Sequence, residues 1–198
     1  MPTAQAGPSH SFTDPNSARG RLLKQAAHLF REKGYERTTV RDLAAAVGIQ
    51  SGSIFHHFRT KEDILKAVMT EAILVNTERM RARLKGAPST RDAVEVLILC
   101  ELESINGETG EAMTVLVYEW RSLSEESQRS ILELRETYEG LWLEVLQRAR
   151  QEGLIQADPF VLRRFLTGAL SWTITWYRPE GSMTVSELAS QAMAMLQL

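Results

Sequence analysis

Between Thr39 and Lys61 the chain gathers hydroxyl, amide, imidazole and cationic side chains along two short helical stretches separated by a glycine. Such groups clamp phosphate oxygens and read base edges. The candidate nucleic-acid contacts are Thr39, Arg41, Gln50, Ser51, Gly52, Ser53, Phe55, His56 and Lys61. Thr39 followed three positions later by Asp42 predicts a capping box that starts a helix near Val40. Val40, Leu43, Ala44 and Val47 recur at helical spacing and give that helix an apolar face, after which Gly48 supplies the backbone freedom for a tight turn. In the next helix Ile54 and Phe58 lie four apart and face inward, so Gln50, Ser51, Ser53 and His56 face outward, where a DNA groove is read.

Other chemistries find less support. Neighbours on a helix point about 100° apart, so His56 and His57 cannot chelate one ion together. His28 and Glu62 complete no HExxH spacing, and no P-loop, GxSxG or dinucleotide fingerprint is present. No catalytic residue, metal site or cofactor is expected, and enzyme activity is the disfavoured rival class. Cys100 is the single cysteine, which excludes an intrachain disulfide and points to the cytoplasm. Leu166 to Tyr177 is too short an apolar stretch to cross a bilayer, so no membrane partner is expected.

Charge is partitioned along the chain. Residues 17–61 carry nine Lys and Arg against three acidic residues, a net of +6, while residues 62–198 carry −7 within a total of −2. A basic head on an acidic body suits a phosphate-facing unit fused to one that does not face DNA.

The elements that must position these groups read as helix after helix, an all-α fold. Residues 1–16, rich in Pro, Gly, Ser, Thr and Ala and with no basic-then-apolar leader, read as a loose tail. A helix follows from Ser17 to Lys33, stopped by Gly34. Thr60-Lys61-Glu62-Asp63 is a second capping box, opening a long helix that runs to Gly86 and joins head to body. Ser89-Thr90 opens a helix apolar on most sides, and further helices are expected over Ala112–Leu123, from Ser124 to Gly153, from Pro159 to Tyr177, and after a third capping box at Thr184-Val185-Ser186-Glu187. In the helix from Pro159, Phe165, Ala169, Trp172 and Trp176 form an aromatic stripe beside a polar stripe of Arg163, Thr167, Ser171 and Thr175. That pattern fits a core face with a solvated face, or a seam between two copies of the chain.

Residues 17–68 resemble the N-terminal domain of the TetR family of one-component bacterial regulators. On that resemblance Thr39 and Lys61 fall where the family clamps phosphates, and Ser51, Gly52, Ser53, Phe55 and His56 fall on the recognition helix. Gln50 stands where the family often has a Ser or Thr cap, and Phe55 where a Tyr is usual. The resemblance implies a helix-turn-helix domain over residues 17–62 and a larger helical domain for effector binding and dimerisation over 63–198. Its partners would be double-stranded operator DNA, a second copy and a small apolar effector. The last two helices would form the dimer seam through Phe165, Gly168, Ala169, Trp172, Leu188, Ala192 and Met195. Residues 172–181 resemble a signature of the subgroup that includes repressors of fatty-acid and sterol-ring catabolism, which implies an acyl-CoA or fatty-acid effector. Met113, Leu116, Tyr118, Trp120, Trp142, Trp172 and Trp176 are the candidate cavity lining, with Glu119 or Arg121 as polar anchor. Arg178 either meets a phosphate of coenzyme A or satisfies helix-end carbonyls. A DNA-binding dimer with no ligand is the remaining alternative, which a solid body core would favour.

Overall fold

The computed structural model describes residues 13–198, so most of the tail expected over residues 1–16 lies outside the described residues. Among the described residues nine α-helices follow one another: α1 (Ala18–Lys33), α2 (Val40–Val47), α3 (Ser51–Ile54), α4 (Lys61–Leu84), α5 (Thr90–Asn106), α6 (Gly110–Tyr118), α7 (Glu125–Gln151), α8 (Pro159–Trp172) and α9 (Val185–Met195). Among the described residues there is no strand. Local chemistry sets most of the starts. The side chains of Thr39, Thr60 and Thr184 each accept from the backbone N–H three residues on, and Asp42, Asp63 and Glu187 reach back to complete three capping boxes. Gly48 closes α2 with φ 71° and ψ 31°, a left-handed turn that swings the chain into α3.

Two expected helices end early. α8 stops at Trp172 and tightens into a 3-10 turn over Thr173–Thr175. The buried Thr173 hydroxyl donates to the Leu170 carbonyl at 2.6 Å and accepts from Asn106 Nδ2 at 2.9 Å, which ties the turn to the end of α5. α6 stops at Tyr118 and continues as a 3-10 turn over Trp120–Ser122, where the Ser122 hydroxyl donates to Glu119 Oε2 at 3.1 Å. α3 is also short; Phe55 to His57 follow it as a turn, and Phe58 still reaches the core.

The core falls into two clusters. One joins Leu22, Phe30, Leu43, Ile54 and Phe58 of the head to Ile64, Leu65 and Val68 of α4, and continues into Val115 and Leu116 of α6 and Ile131 of α7. There is therefore no gap at residue 62: the first turns of α4 complete the head while its later turns pack in the body. The other cluster surrounds α5, which packs against α4, α6, α7, α8 and α9. Trp142 of α7 is fully buried there. Replacing Trp142 by Ala should cost about 3–5 kcal/mol of stability, read as a lower denaturant midpoint with an unchanged slope.

Candidate functional site

The groups expected at DNA share the outer face of the head, but they are not equally free. Arg41, Gln50, Gly52, Phe55 and His56 are exposed, and Ser51 and Ser53 half-buried. Arg41 makes no ion pair among the described residues. Phe55, 55% exposed, holds an aromatic ring out to solvent, and a methyl added at Gly52 would meet nothing within 4 Å, leaving a surface that a groove wall can approach. Gln50 occupies the cap position of α3 without a side-chain cap hydrogen bond, so its amide is free to turn outward. Thr39 is less available. Its hydroxyl accepts from Asp42 N at 3.1 Å and donates to Asp42 Oδ2 at 2.8 Å. The Thr39 backbone N–H and hydroxyl hold the Asp42 carboxyl below its usual range.

Lys61 is engaged inside the protein. Its ammonium lies 4.1 Å from the centre of the Tyr35 ring and donates to the carbonyls of Tyr35 at 2.9 Å, Thr38 at 3.0 Å and Glu36 at 3.4 Å. An ammonium has three donors, and these carbonyls occupy them. In this conformation Lys61 braces the loop between α1 and α2 and has no donor left for a phosphate.

Several carboxylates tie head to body, among them Glu62, Glu119 and Glu111. Glu62 accepts from the Ser124 backbone N–H at 2.9 Å, the Ser124 hydroxyl at 2.6 Å and the Ser127 hydroxyl at 2.8 Å, joining the start of α4 to the start of α7. Glu119 accepts from the Tyr35 N–H at 3.0 Å. Glu111 of α6 pairs with His28 at 2.9 Å and Arg31 at 3.2 Å on α1.

Behind α6 the body holds a cavity of about 420 Å³, whose apolar wall includes Ile73, Met113, Leu116, Val117 and Trp120. Its other wall is polar: Asn76, Glu101, Arg135, Tyr138, Glu139, Arg163, Thr167 and Ser171. The Tyr138 hydroxyl donates to Glu101 Oε2. Burial drives the Glu101 carboxyl above its usual range despite that hydrogen bond, and burial together with Glu101 raises the Tyr138 phenol well above its own. Arg163, 6% exposed, pairs through Nη2 with Glu139 Oε1 at 2.8 Å, yet its buried Nε–H has no partner.

Of the residues expected to line a pocket, Met113, Leu116 and Trp120 line this cavity, and Tyr118 and Trp172 line a smaller adjoining hollow. Trp142 packs in the core beside it, Glu119 turns toward the head, and Arg121 and Trp176 are exposed. The exposed Arg178 donates to the Tyr177 carbonyl at 3.2 Å. Glu101, Tyr138, Arg163, Arg135, Glu139 and Asn76 were not expected in the lining. A signal existed for one of them: Glu101 follows Leu97 by four positions on the apolar face of α5, where a carboxylate is out of place.

The stripes of α8 divide accordingly. Arg163, Thr167 and Ser171 face the cavity, while Phe165 is 74%, Trp172 65% and Trp176 52% exposed. Gly168 and Ala169 lie on the exposed side, and on α9 Met195 is exposed while Leu188 and Ala192 pack partly against the core.

The sequence profile described as "Tetracyclin repressor-like, C-terminal domain" matches residues 95–197, and that described as "Bacterial regulatory proteins, tetR family" matches residues 22–68. The chain belongs to the TetR family of DNA-binding transcriptional regulators. Among similar TetR-family proteins is the HTH-type transcriptional repressor KstR2 of Rhodococcus jostii (strain RHA1), 31% identical over 192 residues that cover 96% of this chain and 94% of the relative. Solved structures place the same fold beside it. The crystal structure of superantigen PfiT is 63% identical, with a TM-score of 0.80 over 92% of this chain and 97% of that one. The ketosteroid transcriptional regulator KstR2 of Mycobacterium tuberculosis is 28% identical, with a TM-score of 0.80 over 91% of this chain and 93% of that one. No helix among the described residues is long and apolar enough to cross a membrane.

The tie at Glu62 makes a pH-dependent prediction. The Ser124 hydroxyl, the Ser124 N–H and the Ser127 hydroxyl hold the Glu62 carboxyl below its usual 4.5. A carboxyl lowered in the folded state stabilises it above the usual value, and that stabilisation fades as pH falls through the folded value. Glu62→Gln should therefore cost about 1 kcal/mol at neutral pH, given its partly exposed setting, and progressively less as pH falls below 4.5 through the lowered folded value. Urea unfolding across that pH range measures it; an equal cost throughout would mean that the charge of Glu62 is not what the serines hold.

Proposed function

We propose that the chain acts in the cytoplasm as a homodimeric repressor that holds a pseudo-palindromic operator and releases it when an apolar effector bearing a polar group fills the cavity behind α6. One observation carries this reading. α6 supplies the apolar cavity wall through Met113, Leu116 and Val117, and the same helix grips the head through Glu111. An occupant that moves α6 pulls on α1, and with it on the helix that reads the groove. α4 is the second lever, since it carries Ile64 and Leu65 in the head core and Ile73 and Asn76 at the cavity. To act as inducer, the effector must bind the DNA-incompetent dimer more tightly than the operator-bound one, because equal affinity shifts nothing.

The dimer is supported by the exposed aromatics of α8, which a monomer would leave in water. An isologous two-fold pairing through that face presents two recognition helices to consecutive major grooves. The 63% identity to superantigen PfiT supports a second reading, in which this chain too is a superantigen. T-cell proliferation driven by a purified variant that has lost DNA binding would establish it.

Arg41→Ala should weaken binding to all duplexes and reduce the log–log salt slope by about one unit. Lys61→Ala should instead lower the thermal midpoint and leave the slope unchanged, as befits an internal brace. His56→Ala should shift preference among operator sequences, each lost base contact costing about 1–3 kcal/mol. Fluorescence anisotropy across a salt series reads all three. Ala169→Arg should produce monomers in sedimentation velocity, and a variant that remains dimeric would place the seam elsewhere.

A further inference from the structure

Reading the cavity as an effector site leaves open what enters it, and three features of its walls narrow the answer. The first is the unpaired Nε–H of Arg163, a buried donor from a charged group that lacks the acceptor such groups require. The second is the local charge. Arg135 and Arg163 share a single carboxylate, Glu139, at 3.7 and 2.8 Å. Glu101, buried beside them, has Oε2 already occupied by the Tyr138 hydroxyl, and among the described residues it pairs with neither arginine. The third is a smaller hollow of about 160 Å³ that shares Met113, Val117 and Ser171 with the cavity and is otherwise lined largely by Ile105, Tyr118, Trp172 and Ile174. One chamber offers an acceptor-seeking cation, the next an apolar slot, and between them stand a flexible Met, a Val and a small Ser.

We propose that the effector is an amphiphilic monocarboxylate whose carboxylate accepts from the Nε–H of Arg163 in the larger chamber and whose alkyl chain passes between Met113, Val117 and Ser171 into the smaller one. This rests on the cavity being the effector site. The polar end goes inward because the free donor is buried, and the chain goes outward because the second hollow is apolar and opens beside the exposed Tyr118 and Trp172. A thioester, which has no carboxylate to accept from the buried Nε–H of Arg163, does not fit this arrangement.

Calorimetric titration of the full-length protein with hexanoate, decanoate, 1-decanol and decanoyl-CoA tests the assignment. Decanoate is expected to bind roughly tenfold or more tightly than 1-decanol, because a charge-assisted bond replaces a neutral one. Affinity should rise by up to about fourfold per added methylene from hexanoate to decanoate. Arg163→Gln should lose roughly tenfold or more for decanoate. Val117→Trp, at an exposed position where folding is not at risk, should keep hexanoate and lose decanoate. Equal binding of decanoate and decanol, or binding of decanoyl-CoA without decanoate, overturns the proposal. If Arg163→Gln fails to fold, the wild-type selectivity and the Val117→Trp pattern decide. A parallel anisotropy titration uses a duplex selected in vitro by the protein itself. Decanoate that binds without releasing that duplex refutes the induction reading and leaves the ligand assignment standing, whereas an intact duplex complex with no decanoate bound refutes the ligand assignment alone.

Discussion

A carboxylate on the most enclosed helix of the body must be given a proton or a partner, because an isolated buried charge costs far more than a small domain's stability can absorb. Glu101 on α5 is that group, and Tyr138 of α7 answers it with a hydroxyl. The polar chemistry then spreads: Glu139, on the turn beside Tyr138, pairs with Arg163 of α8, and the arginine turns the polar stripe of α8 inward. Once that stripe faces the interior, the aromatic stripe must face out. The cavity and the exposed apolar face of α8 are thus two results of one requirement, that Glu101 be satisfied away from water.

The head meets the body by a different kind of contact. Its core is continuous with α4, α6 and α7, so apolar packing supplies the bulk of the attachment. Glu62, Glu111 and Glu119 add directional bonds at three separate points. Two of these lie on or just beyond α6, the helix that also walls the cavity. Apolar contacts permit small slides, whereas hydrogen-bonded anchors have defined positions. A body of this construction transmits a displacement of α6 to α1 as a shift in direction as well as distance.

Much of the chain was legible in sequence because the deciding interactions are local. Each threonine cap finds its acidic partner three residues away, Gly48 takes a left-handed turn within its own neighbourhood, and Ile54 with Phe58 marks the inner side of the recognition segment. These choices need no knowledge of distant residues. The early ends of α6 and α8 were not legible in the same way, since Thr173 is held by Asn106 of α5 and the turn after Tyr118 is set by Glu119 reaching toward Tyr35.

The sequence by itself determined the all-α fold, the helix starts, the basic head, the helix-turn-helix and the two-sided character of α8. Tertiary structure decided which side of α8 faces inward, and it gave Lys61 to loop carbonyls, Trp142 to the core, and Glu101, Tyr138 and Arg163 to one cavity. Periodicity reports that a helix has two faces, but burial of a polar face is favourable only when partners from other helices are already in place. Those partners lie tens of residues apart along the chain, and only packing brings them within hydrogen-bonding distance.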